Sequence, residues 1–260
     1  MTELVYDADR ALLGDSLGAC FSPLQRDAAV EAWLAQWQGR PNGRIASTLT
    51  RWMSAFATSY DVHGVLGVYP MHLLSSEGWG DLLQQTRRHS LLEVGAGAGY
   101  VTEGARAWFD EIVCTETSGP LRRRLSRRGF AVSTADLTTD SLAREFDVVS
   151  AFNVLDRTAR PLTLLRSLAQ HVRPGGRLLL SIPLPAAPHV HVAGGTIAQS
   201  ERLPSLAHDW ETAARELSER LLEPTGLATE RLARCPYLSR GDAHAPLYVL
   251  DAAVWVCTLR

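Results

Sequence analysis

Two clusters of side chains in this sequence have the types and spacing for chemistry. The first is Glu93-Val94-Gly95-Ala96-Gly97-Ala98-Gly99, where an apolar run closes on an acid and opens into three glycines at alternate positions. Without Cβ atoms such a turn takes positive φ, and a ligand can lie directly against the backbone at the start of the helix that follows. The second is Asn153-Val154-Leu155-Asp156, a carboxamide and a carboxylate three residues apart. On a turn or a helix start that separation points both side chains into one pocket. The plainer reading makes Asp156 a helix N-cap and Asn153 a turn residue.

Spacing narrows the ligand. The dinucleotide fingerprint Gly-x-Gly-x-x-Gly fails, because Tyr100 stands at its last position. The phosphate loop fails because it needs a Lys, and every basic side chain of the chain is Arg. What remains, Glu-x-Gly-x-Gly-x-Gly, resembles motif I of the seven-stranded (class I) methyltransferases, although a glycine turn can also be purely structural. That resemblance implies S-adenosyl-L-methionine as cofactor and S-adenosyl-L-homocysteine as product, held around Glu93, Gly95, Gly97 and Gly99. About 20 residues past the turn, Ile112-Val113-Cys114-Thr115-Glu116 places Glu116 at the end of a second strand, to accept from ribose hydroxyls. Asp136 resembles the family position that meets the adenine amino group. It reads equally well as an N-cap for a helix containing Leu142.

These residues need a scaffold, and the periodicity describes one. Strands are expected at Leu91–Val94, Glu111–Glu116, Phe130–Thr134, Phe146–Phe152 and Leu178–Ile182, separated by helices at Leu121–Arg128 and Pro161–Val172, the second stopped by Arg173-Pro174-Gly175-Gly176. A helix at Asp209–Leu222 precedes strands at Leu227–Arg234 and Tyr248–Leu259, joined by residues 236–242, with the last strand antiparallel. The expectation is an α/β fold with a doubly wound, seven-stranded, mostly parallel sheet and ligands at the carboxyl ends of its strands. Residues 1–88 carry no such alternation. Val30, Trp33, Leu34 and Trp37, then Ile45, Leu49, Trp52, Met53 and Phe56, follow helical spacing, and a third helix is expected through Leu73, Leu74, Trp79, Leu82 and Leu83. We read them as core-facing helices of a cap packed over one edge of a methyltransferase domain at 89–260.

Composition sets outer limits. At 260 residues and 46% hydrophobic the chain can bury a substantial core, and a net charge of −2 gives no global field to recruit nucleic acid. The run Arg122, Arg123, Arg124, Arg127 and Arg128 reads as a solvated helix face. Four scattered Cys without a Cys-x-x-Cys pair read as reduced packing residues. The charged first twenty residues and the lack of a membrane-length apolar run lead us to expect a soluble, cytosolic protein with no membrane partner. The exclusive use of Arg suggests a GC-rich bacterial coding bias.

Five segments together are more specific: the glycine turn, Asn-Val-Leu-Asp-Arg with Arg-Pro-Leu-Thr-Leu-Leu, Pro-His-Val-His-Val-Ala-Gly-Gly, Pro-Tyr-Leu-Ser-Arg-Gly-Asp, and Tyr-Val-Leu-Asp-Ala-Ala-Val-Trp-Val. Spanning roughly residues 66 to 260, they resemble the methyltransferase-like-nine (DREV) family of protein-histidine methyltransferases. The resemblance implies methylation of the Nπ ring nitrogen of a histidine in a His-x-His peptide or protein, x being small. It matches Asn153 and Asp156 to the residues that meet the substrate histidine, and Tyr237 and Tyr248 to tyrosines beside that pocket. The family commonly has Asp where this chain has Glu93 and a second acid where it has Ala98, and the first 65 residues have no counterpart. The residue types suit the chemistry. A carboxylate accepting one imidazole N–H selects the tautomer whose other nitrogen carries the attacking lone pair, and no metal is required. Two other functions fit the same motifs, a small-molecule or natural-product N- or O-methyltransferase and a non-catalytic cofactor-binding partner subunit. The long segment Pro183–Pro204 contains a His-x-His of its own, His189-Val190-His191. Self-methylation there competes with a solvated or incidentally metal-binding pair, and Val is larger than the family favours.

Overall fold

The alternation that begins near Leu91 folds into one sheet. The structure is a computed structural model and describes residues 3–53, 56–204, 209–242 and 245–260. Its strands are β1 (Met71–His72), β2 (Arg88–Val94), β3 (Phe109–Thr115), β4 (Ala131–Ser133), β5 (Phe146–Phe152) and β6 (Val172–Pro183), then β7 (Val190–Val192) and β8 (Gly195–Ile197) as a separate hairpin, then β9 (Leu227–Arg240) and β10 (Leu247–Leu259). The order β4-β3-β2-β5-β6-β10-β9 is the expected seven-stranded arrangement, with β1 added antiparallel at the β9 edge. Strands β2 to β6 run parallel, and β10 lies antiparallel to β6. The carboxyl ends of β2, β3 and β5 therefore line up along one rim, and every candidate site residue before residue 160 lies in the last residues of, or follows, one of the parallel strands.

The pleat divides the core into two layers. Leu92, Val149, Leu180 and Trp255 face one layer, and their neighbours Leu91, Val148, Leu179 and Val254 face the other. The N-terminal segment enters both. Leu13 of α1 (Arg10–Leu13), Leu17 of α2 (Asp15–Cys20) and Phe21 are buried in the first layer beside Trp210 of α10 (Trp210–Leu217). Leu24, Leu73, Leu74 and Trp79 of α6 (Ser76–Leu82) are buried in the second. Trp79 donates from Nε1 to the Val101 carbonyl at 3.1 Å and meets Phe109 and Phe152 edge-on. Trp79 thus ties α6 to the residues just past the glycine turn.

Other local expectations are corrected. In α3 (Ala28–Trp37) Val30 and Leu34 are buried as expected. In α4 (Arg44–Met53) Trp52 is 66% exposed, and Phe56 beyond it 76%, so that apolar stripe faces solvent and not the core. Ile45 lies outside the described side chains. The helix expected around Leu142 is absent, because the Asp136–Asp140 side chains close a turn there. The helix after the glycine turn is a single short one, α7 (Thr102–Ala105). Arg173-Pro174-Gly175-Gly176 opens β6 at an irregular register, and residues 236–240 continue β9. Between these, α8 (Gly119–Arg127) and α9 (Pro161–Gln170) stand where expected, but Arg122 and Arg124 are not merely solvated. Arg122 donates to the Glu116 carbonyl at 3.1 Å, and Arg124 to the carbonyls of Gly64 and Val65. Those two carbonyls belong to α5 (Ser59–Leu66), an unforeseen helix seated on α8. It sits there because Gly64 has no Cβ, which would lie 2.7 Å from Pro120 Cβ. All four cysteines are free, and no helix among the described residues is long and apolar enough to cross a membrane.

Candidate active site

The two chemical clusters of the sequence meet in space. Gly95 has φ 68°, and a Cβ there would lie 2.8 Å from Cγ2 of Val154, the residue between Asn153 and Asp156. Gly97 has φ 58°, and a Cβ there would meet nothing within 4 Å, so open space lies in front of this part of the turn. Gly99, at φ 78°, packs against Leu125 of α8.

Two acids frame the turn. Glu116, just past β3, accepts the Gly97 N–H at 2.9 Å and the Ser118 N–H at 2.8 Å. Burial raises its pKa, and the N–H donors of Ser118, Gly97 and Thr117 act against that rise. Glu93 is buried, its Oε2 has no hydrogen-bond partner, and burial pushes its pKa up to about 8 against an opposing Thr102 hydroxyl. Asp136 follows β4. Its Oδ1 accepts the Thr138 N–H and hydroxyl at 2.9 and 2.8 Å, so the side chain caps a turn and not a helix.

At the end of β5, Asn153 adopts φ 55°, a left-handed conformation that Asn tolerates better than most residues. Its N–H donates to the Ser181 carbonyl at 2.9 Å, and its Oδ1 accepts the Ser181 hydroxyl at 2.8 Å, which leaves the amide NH2 as its outward donor. Asp156 is buried within the following turn. Oδ2 pairs with Arg157 Nε at 3.0 Å, while Oδ1 is buried with no partner. Burial lifts its pKa, and Arg157 opposes the lift, as does His189. Gln199 pins this turn by donating to the Leu155 and Thr158 carbonyls at 2.7 and 2.8 Å.

The residues around Asp156 include several that sequence reasoning missed. Burial raises the Tyr60 phenol pKa; Arg157 opposes the rise, whereas Asp156, Tyr237 and Glu116 add to it, so Tyr60 on α5 lies in the field of both acids. Its ring meets that of His191 edge-on at 5.1 Å. Tyr237 is pushed up to about 12, chiefly by burial and further by Asp156, and its hydroxyl donates to Met71 Sδ at 3.3 Å. Tyr248 lies on the same sheet face as Tyr237 but turns its hydroxyl to Asp242 Oδ1 at 2.9 Å, alongside the Tyr69 hydroxyl on Oδ2 at 3.0 Å. In the sequence only the odd histidine pair hinted at the β7 contribution.

A family model described as DREV methyltransferase matches residues 5–258, so the first 65 residues, expected to have no counterpart in the family, are nearly all within the match. The chain belongs to the DREV methyltransferase family. It is 26% identical over 196 residues to a ubiquinone biosynthesis O-methyltransferase of Ruegeria pomeroyi, covering 66% of this chain and 78% of that protein. Similar solved structures include the N-methyltransferase NodS from Bradyrhizobium japonicum WM9 with S-adenosyl-l-homocysteine, at 17% identity over 70% of this chain and 83% of that one, TM-score 0.46. The DhpI-SAM-HEP complex is 18% identical over 90% of this chain and all of that one (100%), TM-score 0.49.

The turn of this DREV methyltransferase fits S-adenosylmethionine. Gly97 leaves room against the backbone, the Glu116 carboxylate already accepts N–H donors at the strand end, and the buried Glu93 Oε2 has no hydrogen-bond partner within the chain. Glu93 also carries a stability prediction. Because its folded pKa lies above the unfolded value, the folded state holds a proton that the unfolded state has released, so stability falls as pH rises between the two. In thermal unfolding of the cofactor-free protein, the midpoint of Glu93→Gln relative to the wild type should rise from about pH 5 to about pH 8. A difference that stays constant with pH contradicts this reading of Glu93.

Proposed function

We propose that this methyltransferase uses S-adenosylmethionine to methylate the Nπ nitrogen of a histidine within a His-x-His peptide or protein segment. The observation that carries the reading is Asp156, a buried carboxylate with Oδ2 tied to Arg157 and Oδ1 without a partner, one turn from the glycine cradle. A buried acceptor left unpaired costs roughly 1–3 kcal/mol, and an imidazole N–H would remove that cost.

When bound, the cofactor supplies an activated methyl on a sulfonium centre. The chain supplies the rest. Asp156 Oδ1 accepts the Nτ–H of the substrate ring, which leaves the lone pair on Nπ, and its charge stabilises the positive charge that grows on the ring during transfer. Arg157 holds the carboxylate in place and favours its ionised form. The Asn153 amide donates to the peptide, and Tyr60 and Tyr237 wall the site against water. Positioning of this kind is where most of the rate arises.

The test is incubation of the purified protein with cofactor and a library of His-x-His peptides, with methyl groups located by fragmentation. Methyl on histidine alone supports the reading, and transfer confined to other residues or absent from every peptide overturns it. Arg157→Gln adds a pH test. Loss of the guanidinium lets burial raise the Asp156 pKa further, so the acid limb of the kcat profile should move to higher pH. An unmoved limb removes Arg157 from this role.

A further inference from the structure

Ser181 is the one polar residue of the apolar run Leu178-Leu179-Leu180-Ser181-Ile182 in β6, and it is fully buried. A hydroxyl taken out of water is costly unless it is hydrogen-bonded, so its partners show what the serine is there to hold. Among the described residues they all belong to Asn153, which follows Phe152, the β5 residue paired with Ser181. The Ser181 carbonyl accepts the Asn153 backbone N–H at 2.9 Å, and the hydroxyl oxygen shares that N–H at 3.1 Å. The hydroxyl itself donates to Asn153 Oδ1 at 2.8 Å.

Those contacts fix which way round the amide lies. A backbone N–H can only donate, so the hydroxyl oxygen accepts from it, and the hydroxyl proton must go to an acceptor elsewhere. Among the described residues the acceptor that the hydroxyl reaches is Asn153 Oδ1. The reversed amide would set its NH2 against the hydroxyl and leave the buried proton without a partner. Because the amide is planar, the NH2 points away from Ser181. There it has no hydrogen-bond partner among the described residues, on a side chain that is half-buried. Three residues on, Asp156 Oδ1 is an acceptor that also lacks a partner. The turn thus holds one donor and one acceptor, each of fixed sense.

We propose that Ser181 is a positioning residue that sets substrate specificity at Asn153. By engaging Oδ1 it presents the NH2, so this subsite takes a hydrogen-bond acceptor of the substrate, a backbone carbonyl of the peptide, and rejects a donor placed there. The identity of that acceptor rests on the peptide-histidine reading above. Ser181 touches neither substrate nor cofactor in this role and acts only through Asn153. The amide is uncharged and holds the peptide backbone, not the ring on which charge grows. Its contact therefore has the same strength before and during transfer, and its loss falls on KM and leaves kcat unchanged.

Two measurements test this. Neutron diffraction from crystals of the deuterium-exchanged wild-type protein should show the Ser181 deuteron directed at the Asn153 amide oxygen. An ND2 group facing Ser181 overturns the proposal, whatever the substrate proves to be. The second measurement is a double-mutant cycle on peptide methylation. Ser181→Ala frees the amide to turn over and should raise the KM for a His-x-His peptide at least about fivefold at constant kcat. In Asn153→Gly, whose glycine keeps the left-handed backbone and removes the amide, the same serine change should leave KM where it is. An unchanged KM in Ser181→Ala, or an equal rise in the Asn153→Gly background, overturns the positioning role while the peptide function stands. If the wild type methylates no histidine peptide, the functional reading falls and the carbonyl subsite falls with it, while the neutron map still decides how Ser181 holds the amide.

Discussion

Asp156→Asn is expected to bind cofactor as the wild type does and to lose about a hundred- to a thousandfold in kcat. The substitution preserves size, and we propose that the cofactor is held by Glu93, Glu116 and the glycine turn, so cofactor affinity has little reason to change. On the proposed mechanism the variant loses a negative charge beside the acceptor ring, at a carboxylate that is buried. An amide that turns its oxygen to Arg157 offers the ring an NH2, which favours the tautomer protonated on the wrong nitrogen. One that turns its oxygen to the ring still leaves the growing positive charge without a counter-charge. The effect therefore falls on kcat more than on KM, as expected for an interaction that strengthens in the transition state. Calorimetric titration with cofactor alongside single-turnover transfer separates the two quantities. Normal turnover in the variant would take Asp156 out of the mechanism.

Gly97→Ala should be the most damaging small change for the cofactor. A Cβ at this position enters the open space in front of the turn, and the residue must hold φ 58°. The backbone term costs about 1–2 kcal/mol of stability and leaves the protein folded. The steric term falls on the ligand, and cofactor affinity should drop at least about tenfold, or ~1.4 kcal/mol. Gly175→Ala serves as the control. Gly175 has φ 75° and equally open surroundings, but it lies near the start of β6, at the opposite end of the strand from the carboxyl rim, so it should lose similar stability with cofactor affinity retained. Equal cofactor affinity in the Gly97 variant and the wild type would mean that the turn does not hold the ligand.

The parts of this fold that could be read from the sequence are those where one local pattern has one tertiary meaning. The run from Leu91 through the three glycines could hardly be other than a buried strand turning into a tight loop, and the repeated alternation afterwards implied the parallel order. Where a pattern specifies a face but not its partner, the reading went astray. The stripe of α4 is amphipathic, yet nothing covers Trp52 or Phe56 among the described residues. Pro236 reads as a breaker, but β1 pairs only at Leu238 and Ser239, so Pro236 sits where β9 is still an edge and its missing N–H costs nothing. At Asp136 the short polar side chains bond to nearby backbone and outcompete the helix expected around Leu142.

The candidate site divides the same way. The glycines and the acids at strand ends announce themselves by spacing, and the structure brings Val154 against Gly95. Tyr60 and Arg157 do not. Tyr60 reaches the site because Gly64 lets α5 settle on α8, a contact between residues about 56 apart that no local pattern encodes. Arg157 is adjacent to Asp156 in sequence, but only the structure shows that the carboxylate is buried and paired with it on one side alone.

The measurement that bears most directly on the account is the identity of the methylated atom. A His-x-His peptide treated with enzyme and labelled cofactor, hydrolysed to amino acids and separated against the two methylhistidine isomers, should yield label in the π isomer alone. Label in the τ isomer, or in any amino acid other than histidine, would contradict the role given to the Asp156 carboxylate.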